Sequence, residues 1–192
     1  MKQFAALLIL VGSLSASALD YTVRVEARDT SGASSICNAT TGCSTAAVVN
    51  FGAGVTTTAY AFTPEWGLYS GALLRQRGVS VSLTGFPTAV GTWTYLDIPV
   101  EAQYTFGSLA VRAGVDLGLK VSNSNSGFTS YSTYYSDTSL VVPVEIGFDW
   151  KFLPSQLLAI SYETGVTTAN GQQGLNSLAT ANVIALAYGY TF

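Results

Sequence analysis

The sequence has no histidine, one methionine and two cysteines, and only 10% of its 192 residues are charged. Each scarcity excludes something. Without histidine there is no Ser-His or Cys-His nucleophile and no imidazole metal ligand. Two thiols alone cannot complete a four-ligand metal site. Eight basic residues, a net charge of −3 and a pI of about 4.7 argue against a nucleic-acid surface. A soluble domain carries roughly 25% charged residues, so this chain has less than half the usual complement. Long apolar runs are also missing: beyond residue 18 no stretch stays apolar for the roughly 20 residues of a membrane-spanning helix. What is abundant is apolar side chain, at 48%, which excludes disorder. A chain this apolar without a spanning helix must cross a membrane, if it crosses at all, as strands closed into a barrel, because open sheet edges cannot face lipid.

The first 18 residues read as a signal peptide. Met1-Lys2-Gln3 gives a positive start, Phe4–Gly12 is apolar, and Ala16-Ser17-Ala18 is a small-x-small cleavage site. The alternative is an uncleaved anchor. Cleavage after Ala18 removes Lys2 and leaves residues 19–192 as one barrel domain of net charge −4.

The remaining chain alternates with period two, the signature of strands with one apolar and one polar face. Leu96, Ile98, Val100, Ala102, Tyr104 and Phe106 share one face, while Tyr95, Asp97, Pro99, Glu101, Gln103 and Thr105 share the other. Leu109–Val121 and Leu140–Phe152 repeat the pattern. It predicts an all-β protein, an eight-stranded antiparallel up-and-down transmembrane β-barrel, with strands near 20–28, 46–60, 64–79, 93–106, 109–121, 139–152, 156–168 and 180–192. Two- or three-residue links near 61–63, 107–108 and 153–155 alternate with links of 11 to 17 residues near 29–45, 80–92, 122–138 and 169–179. Outer-membrane barrels alternate short periplasmic turns with longer outward loops in this way. Outward-facing aromatics (Tyr21, Trp66, Tyr104, Phe106, Trp150, Phe152, Tyr188, Tyr190, Phe192) gather at the short-turn end, where an interfacial girdle belongs.

The parity of each strand also assigns the charges. Fifteen of them face inward. Seven are basic: Arg24, Arg28, Arg75, Arg77, Arg112, Lys120 and Lys151. Eight are acidic: Glu26, Glu65, Asp97, Glu101, Asp116, Glu145, Asp149 and Glu163. Asp20, Asp29 and Asp137 fall at a terminus or in loops, leaving the lipid face uncharged. A soluble barrel would show the reverse. Eight strands enclose only enough room for side chains, so these groups are expected to form a near-neutral ion-pair network. A turn at 107–108 pairs Phe106 with Leu109 and puts Gln103 opposite Arg112, which brings Glu101 within reach of Arg112. Pro99 and Pro143, each in a Pro-Val-Glu triplet, predict local irregularity because each removes a ladder donor.

The segment Tyr95-Leu96-Asp97-Ile98-Pro99, running on through Phe106 and Leu109–Leu119, resembles the Tyr-Leu-acidic-Ile-Pro strand of the PorT-type outer-membrane β-barrel family. The eight-strand layout is similar to OmpA- and OmpX-type barrels. The resemblance implies the fold and a place in the bacterial outer membrane, but no activity. The terminal Tyr188, Tyr190 and Phe192 look like the C-terminal signal through which such barrels meet the barrel-assembly machinery.

Other candidates are few. Cys37 and Cys43 frame Asn38-Ala39-Thr40-Thr41-Gly42 in the first long loop, and export to an oxidising compartment predicts a disulfide between them. Asn38-Ala39-Thr40 fits a glycosylation sequon that has no meaning in a bacterium. Asp29-Thr30-Ser31-Gly32 occurs once, in a loop, and a single aspartic-protease-like turn carries no chemistry. Phe128, Tyr131, Tyr134 and Tyr135 among Ser and Asn make the third long loop a usable contact surface. The expectation is a non-enzymatic barrel without cofactor or metal. It is held by outer-membrane lipid and presents its loops to a surface ligand or host partner. A narrow, porin-like channel for small solutes is the alternative.

Overall fold

In the computed structural model the described residues are 20–31, 42–126, 139–166 and 182–192. They form ten strands: β1 (Tyr21–Ser31), β2 (Cys43–Ala46), β3 (Val48–Ala61), β4 (Trp66–Leu83), β5 (Ala89–Phe106), β6 (Leu109–Ser126), β7 (Leu140–Val141), β8 (Pro143–Leu153), β9 (Gln156–Val166) and β10 (Asn182–Thr191). Two breaks, at Ala47 and Val142, divide what are otherwise single staves: β2 with β3, and β7 with β8. The staves therefore number eight. All pairings are antiparallel, in the ring order β4-β3-β1-β10-β9-β8-β6-β5, and β5 pairs back to β4 to close it. Closure leaves no open edge around the ring, which is the condition for facing lipid.

The register follows from the turns. Gly107, at φ +63°, makes the tight link after β5, and Phe106 pairs with Leu109 and Gln103 with Arg112. At the 62–65 turn the Thr63 hydroxyl accepts from the backbone N–H groups of Glu65 and Trp66 at 3.2 and 3.0 Å. Pro143 sits at a register shift against β9, and next to Pro99 the β4–β5 ladder skips from Val100 to Asp97.

Within the belt, side chains alternate without exception along β1: Val23, Val25 and Ala27 outward, Arg24, Glu26 and Arg28 buried. Val25 is 53% exposed, Ile146 56% and Leu186 61%. That much contiguous apolar surface on a protein of this size requires lipid, not water, against it. At the short-turn end the outward aromatics touch in pairs, Trp66–Tyr104 at 4.9 Å and Tyr190–Phe192 at 5.1 Å between ring centroids.

The structure corrects the expected boundaries at the opposite end. Strands β4, β5 and β6 each run 18 residues, and the link between β4 and β5 is only 84–88 rather than 80–92. Eighteen residues at ~3.3 Å each, tilted by ~45°, rise roughly 40 Å, well past an apolar belt of ~25 Å. Above the belt the polarity inverts. Val81, Ala89 and Trp93 point inward and are buried, whereas Ser80, Ser82, Thr92 and Thr94 are half-exposed. The outward apolar series stops there because water replaces lipid, and that stop imitates a loop. Likewise β1 continues to Ser31, so Asp29, expected in a loop, is exposed on the outward face near the strand's end.

Candidate functional site: the charged barrel interior

Five arginines and seven carboxylates are buried inside the barrel: Arg24, Arg28, Arg75, Arg77 and Arg112 with Glu26, Asp97, Glu101, Asp116, Glu145, Asp149 and Glu163. They come from β1, β4, β5, β6, β8 and β9. Strands β3 and β10 contribute small residues instead, and that is what makes room. Gly52 on β3 lies where a Cβ would come within 3.2 Å of Arg75 Cγ, and a Cβ at Gly147 on β8 would sit 2.4 Å from Arg112 Nη2. Four of the largest fully buried side chains in the molecule are arginines: Arg24, Arg28, Arg75 and Arg112.

The twelve charges form one continuous ring. Glu26 meets Arg24 at 3.1 Å, Arg28 at 2.8 Å and Arg75 at 2.9 Å. Arg28 continues to Glu163 at 2.5 Å, and Glu163 to Arg77 at 2.7 Å. Arg77 reaches Asp97 at 2.8 Å, which lies 3.8 Å from Arg75. Arg75 holds Asp116 and, at 2.9 Å, Glu145. Glu145 is 3.7 Å from Arg112, which binds Glu101 at 2.5 Å and Asp149 at 3.1 Å. Asp149 returns to Arg24 at 3.6 Å. Arg75 is the hub, with four carboxylates. Burying so many ions is tolerable only because each is answered by opposite charge and directed hydrogen bonds.

Three of the fifteen expected inward charges are less buried than these twelve. Glu65 lies exposed in the 62–65 turn, where it accepts from the Thr63 hydroxyl. Lys120 keeps the expected inward face, opposite buried Tyr95 and between exposed Leu119 and Val121, but is only half-buried. Lys151 keeps the inward face, opposite buried Leu157, and is exposed because it lies at the short-turn mouth of the barrel, just before the β8–β9 register shift. The fully buried charges are five guanidiniums and seven carboxylates, and half-buried Lys120 adds a positive charge on the inward face near the outer end.

Two inward tyrosines bound the ring: Tyr95, which parity already places on the face of Asp97, and Tyr69, which it does not single out. The Arg77 guanidinium lies 5.0 Å from the Tyr95 ring centroid at the outer end, and Arg112 lies 4.3 Å from that of Tyr69 at the short-turn end. Tyr69 also accepts a hydrogen bond from Arg24 Nη1 at 2.9 Å. Tyr69 shares a face with Arg75, so parity could have found it too.

Two carboxylate triads, Asp97/Asp116/Glu163 and Glu101/Asp116/Glu145, bring oxygens close enough to hold an ion. Arg77, Arg75 and Arg112 already thread them and supply the positive charge that a cation would bring. Of the cysteine pair, Cys43 opens β2 and is not a free thiol. Cys37 lies outside the described residues, as do the tyrosine-bearing segment 127–138 and the signal segment.

The model of the outer membrane protein β-barrel domain matches residues 23–170. The chain belongs to this family. The match covers most of the barrel and so places the protein among outer-membrane β-barrels; it does not single out the PorT type. Among solved structures the fold is similar to Neisserial surface protein A (13% identity, 89% of this chain and 95% of that one, TM-score 0.43). It is also similar to the attachment invasion locus protein Ail of Yersinia pestis, solved with the heparin analogue sucrose octasulfate (12% identity, 91% and 97% covered, TM-score 0.40). Further neighbours include the KdgM porin (10% identity, TM-score 0.31) and the Escherichia coli outer-membrane protease OmpT (10% identity, TM-score 0.30). No curated protein gives a significant match.

Proposed function

We propose that this is a non-enzymatic outer-membrane barrel whose lumen is filled by its own ion pairs, and that it works as an anchored platform for envelope structure or surface contact. The observation that carries this reading is the ring of twelve buried charges, bounded by Tyr69 and Tyr95. A solute passing through would have to part several guanidinium–carboxylate pairs at once. Breaking one such buried pair costs ~3–5 kcal/mol.

The platform is the apolar belt and aromatic girdle. The working surface is the opposite end, where β4–β6 extend beyond the belt. A surface ligand or host partner would be met there, and Tyr188, Tyr190 and Phe192 on the closing strand would serve the assembly machinery. The absence of histidine from the chain and the engagement of the inward carboxylates by arginine both speak against acid–base catalysis. A liposome-swelling assay with solutes of increasing size tests the reading. Vesicles containing the folded barrel should swell no faster than empty ones, and uptake of even the smallest solutes would favour the narrow-channel alternative.

A further inference from the structure

Asp116 on β6 belongs to both carboxylate triads inside the barrel. One of its oxygens lies within 4.8 Å of oxygens of Asp97 and Glu163, and one within 4.8 Å of oxygens of Glu101 and Glu145. We propose that the folded barrel holds a proton at this crossing, carried by Asp116 and shared with the carboxylates around it. The proton makes the filling of the lumen pH-dependent: complete at neutral pH and strained by an added negative charge once the proton leaves.

The positive groups that face this crossing are mostly engaged elsewhere. Arg77 pairs with Asp97 and Glu163, and Arg28 with Glu163 and Glu26. Arg112 pairs with Glu101 and Asp149. Among the described residues only the Arg75 guanidinium pairs with Asp116, and it is divided among Asp116, Glu26, Asp97 and Glu145. Lys120, on the same strand, lies farther out, opposite Tyr95. Carboxylates gathered this closely away from water do not all stay ionised, and a shared proton removes one charge without removing a side chain.

Hydrogen bonding points the same way. Asp116 and Glu101 are fully buried. Asp116 Oδ2 accepts from Arg75 Nη1, but Oδ1 has no partner. Glu101 Oε2 accepts from Arg112 Nη1, and Oε1 likewise has none. Two buried acceptors of one triad therefore lack a donor. An ionised carboxylate only accepts, whereas a protonated one also donates. One proton on Asp116 turns an orphaned acceptor into a donor for a neighbouring carboxylate. Nothing has to enter the closed ring, because the proton is taken up as the chain folds.

The absence of histidine makes the test clean, since few groups titrate between pH 6 and 9 in this chain. Across that window the unfolded chain has lost the Asp116 proton and the folded barrel keeps it. Folding then takes up one proton, so stability falls as pH rises, and the unfolding constant should increase about tenfold per pH unit while the proton stays bound. Equilibrium urea unfolding from lipid vesicles reads this as a midpoint that falls by roughly 0.7 M per pH unit. Asp116→Asn copies the shape and the donor of the protonated acid. At pH 6 its unfolding constant should lie within about threefold of the parent's, and its profile should be flat. Asp149→Asn, outside both triads, should keep the slope. Infrared spectra of the folded parent at pH 7 should contain the carbonyl band of a protonated carboxyl, and those of Asp116→Asn should lack it. A flat profile in the parent, no such band, a slope that survives Asp116→Asn, a slope lost equally in Asp149→Asn, or failure of Asp116→Asn to fold would each overturn the proposal. The proposal rests on the buried ring of the filled-lumen reading. Solute uptake by vesicles would sink that reading alone, whereas a flat pH profile in a barrel that takes up no solute would sink the proton alone.

Discussion

Arg112 is the place where the buried ring can be probed most sharply. Its side chain is fully buried and meets Glu101 at 2.5 Å, Asp149 at 3.1 Å and Glu145 at 3.7 Å. Arg112→Met keeps most of the volume and removes the charge. The consequences for the three carboxylates differ. Glu145 keeps Arg75, and Asp149 keeps Arg24, but Glu101 has no other arginine among the pairs of the described residues. An uncompensated buried partner costs ~3–5 kcal/mol. Glu101→Gln should be milder, about 1–2 kcal/mol, since Arg112 retains Asp149 and Glu145 while the carboxylate excess falls. The double variant restores the original balance of the interior. It should therefore be more stable than the sum of the single losses by at least ~1.5 kcal/mol. Equilibrium urea unfolding from lipid vesicles, followed by tryptophan fluorescence and gel mobility, reads these differences. With a slope of about 2 kcal/mol per M, Arg112→Met should move the midpoint down by roughly 1.5–2.5 M. A loss below ~1 kcal/mol for Arg112→Met, or strict additivity in the double variant, would refute the claim that these groups are buried and paired.

Further perturbations address other parts of the account. Leu186→Arg, at an outward position of β10 that is 61% exposed, should lower stability in vesicles by ~2–4 kcal/mol, whereas the same residue is harmless on a water-facing surface. Gly147→Ala should cost ~1–3 kcal/mol in the same unfolding assay, because its Cβ would come 2.4 Å from Arg112 Nη2 and push the guanidinium off its partners. Phe192→Ala should reduce assembled barrel in cells, measured as heat-modifiable protein, while refolding of purified protein into vesicles changes little. Loss of both would make the residue structural only.

The stretches that lipid constrains were the legible ones. Val23, Val25 and Ala27 alternate with Arg24, Glu26 and Arg28, and only a lipid-facing strand places them so; the inward set of the staves and the Phe106–Leu109 register followed from that parity. The same reasoning failed wherever lipid stopped dictating the pattern. Above the belt Trp93 and Val81 turn inward and Thr92 and Ser82 outward, so the extended hairpin looked like a loop. Parity gave the face of Lys120 and Lys151 but not their depth: both keep inward positions, opposite Tyr95 and Leu157, near the ends of the barrel where burial falls away. Glu65 was misplaced because the turn takes residues 62–65. The partners within the ring were legible only for Glu101 and Arg112, which a two-residue turn brings together. Arg28 with Glu163, 135 residues apart, needs the closure of the barrel.

Single-channel recording of the refolded protein in planar bilayers tests the filled lumen most directly. The account predicts a flat baseline at all voltages, with rare, irregular openings at most. Stable, reproducible conductance steps from the folded barrel would contradict it and would show that the ring of arginines and carboxylates leaves a continuous path through the membrane.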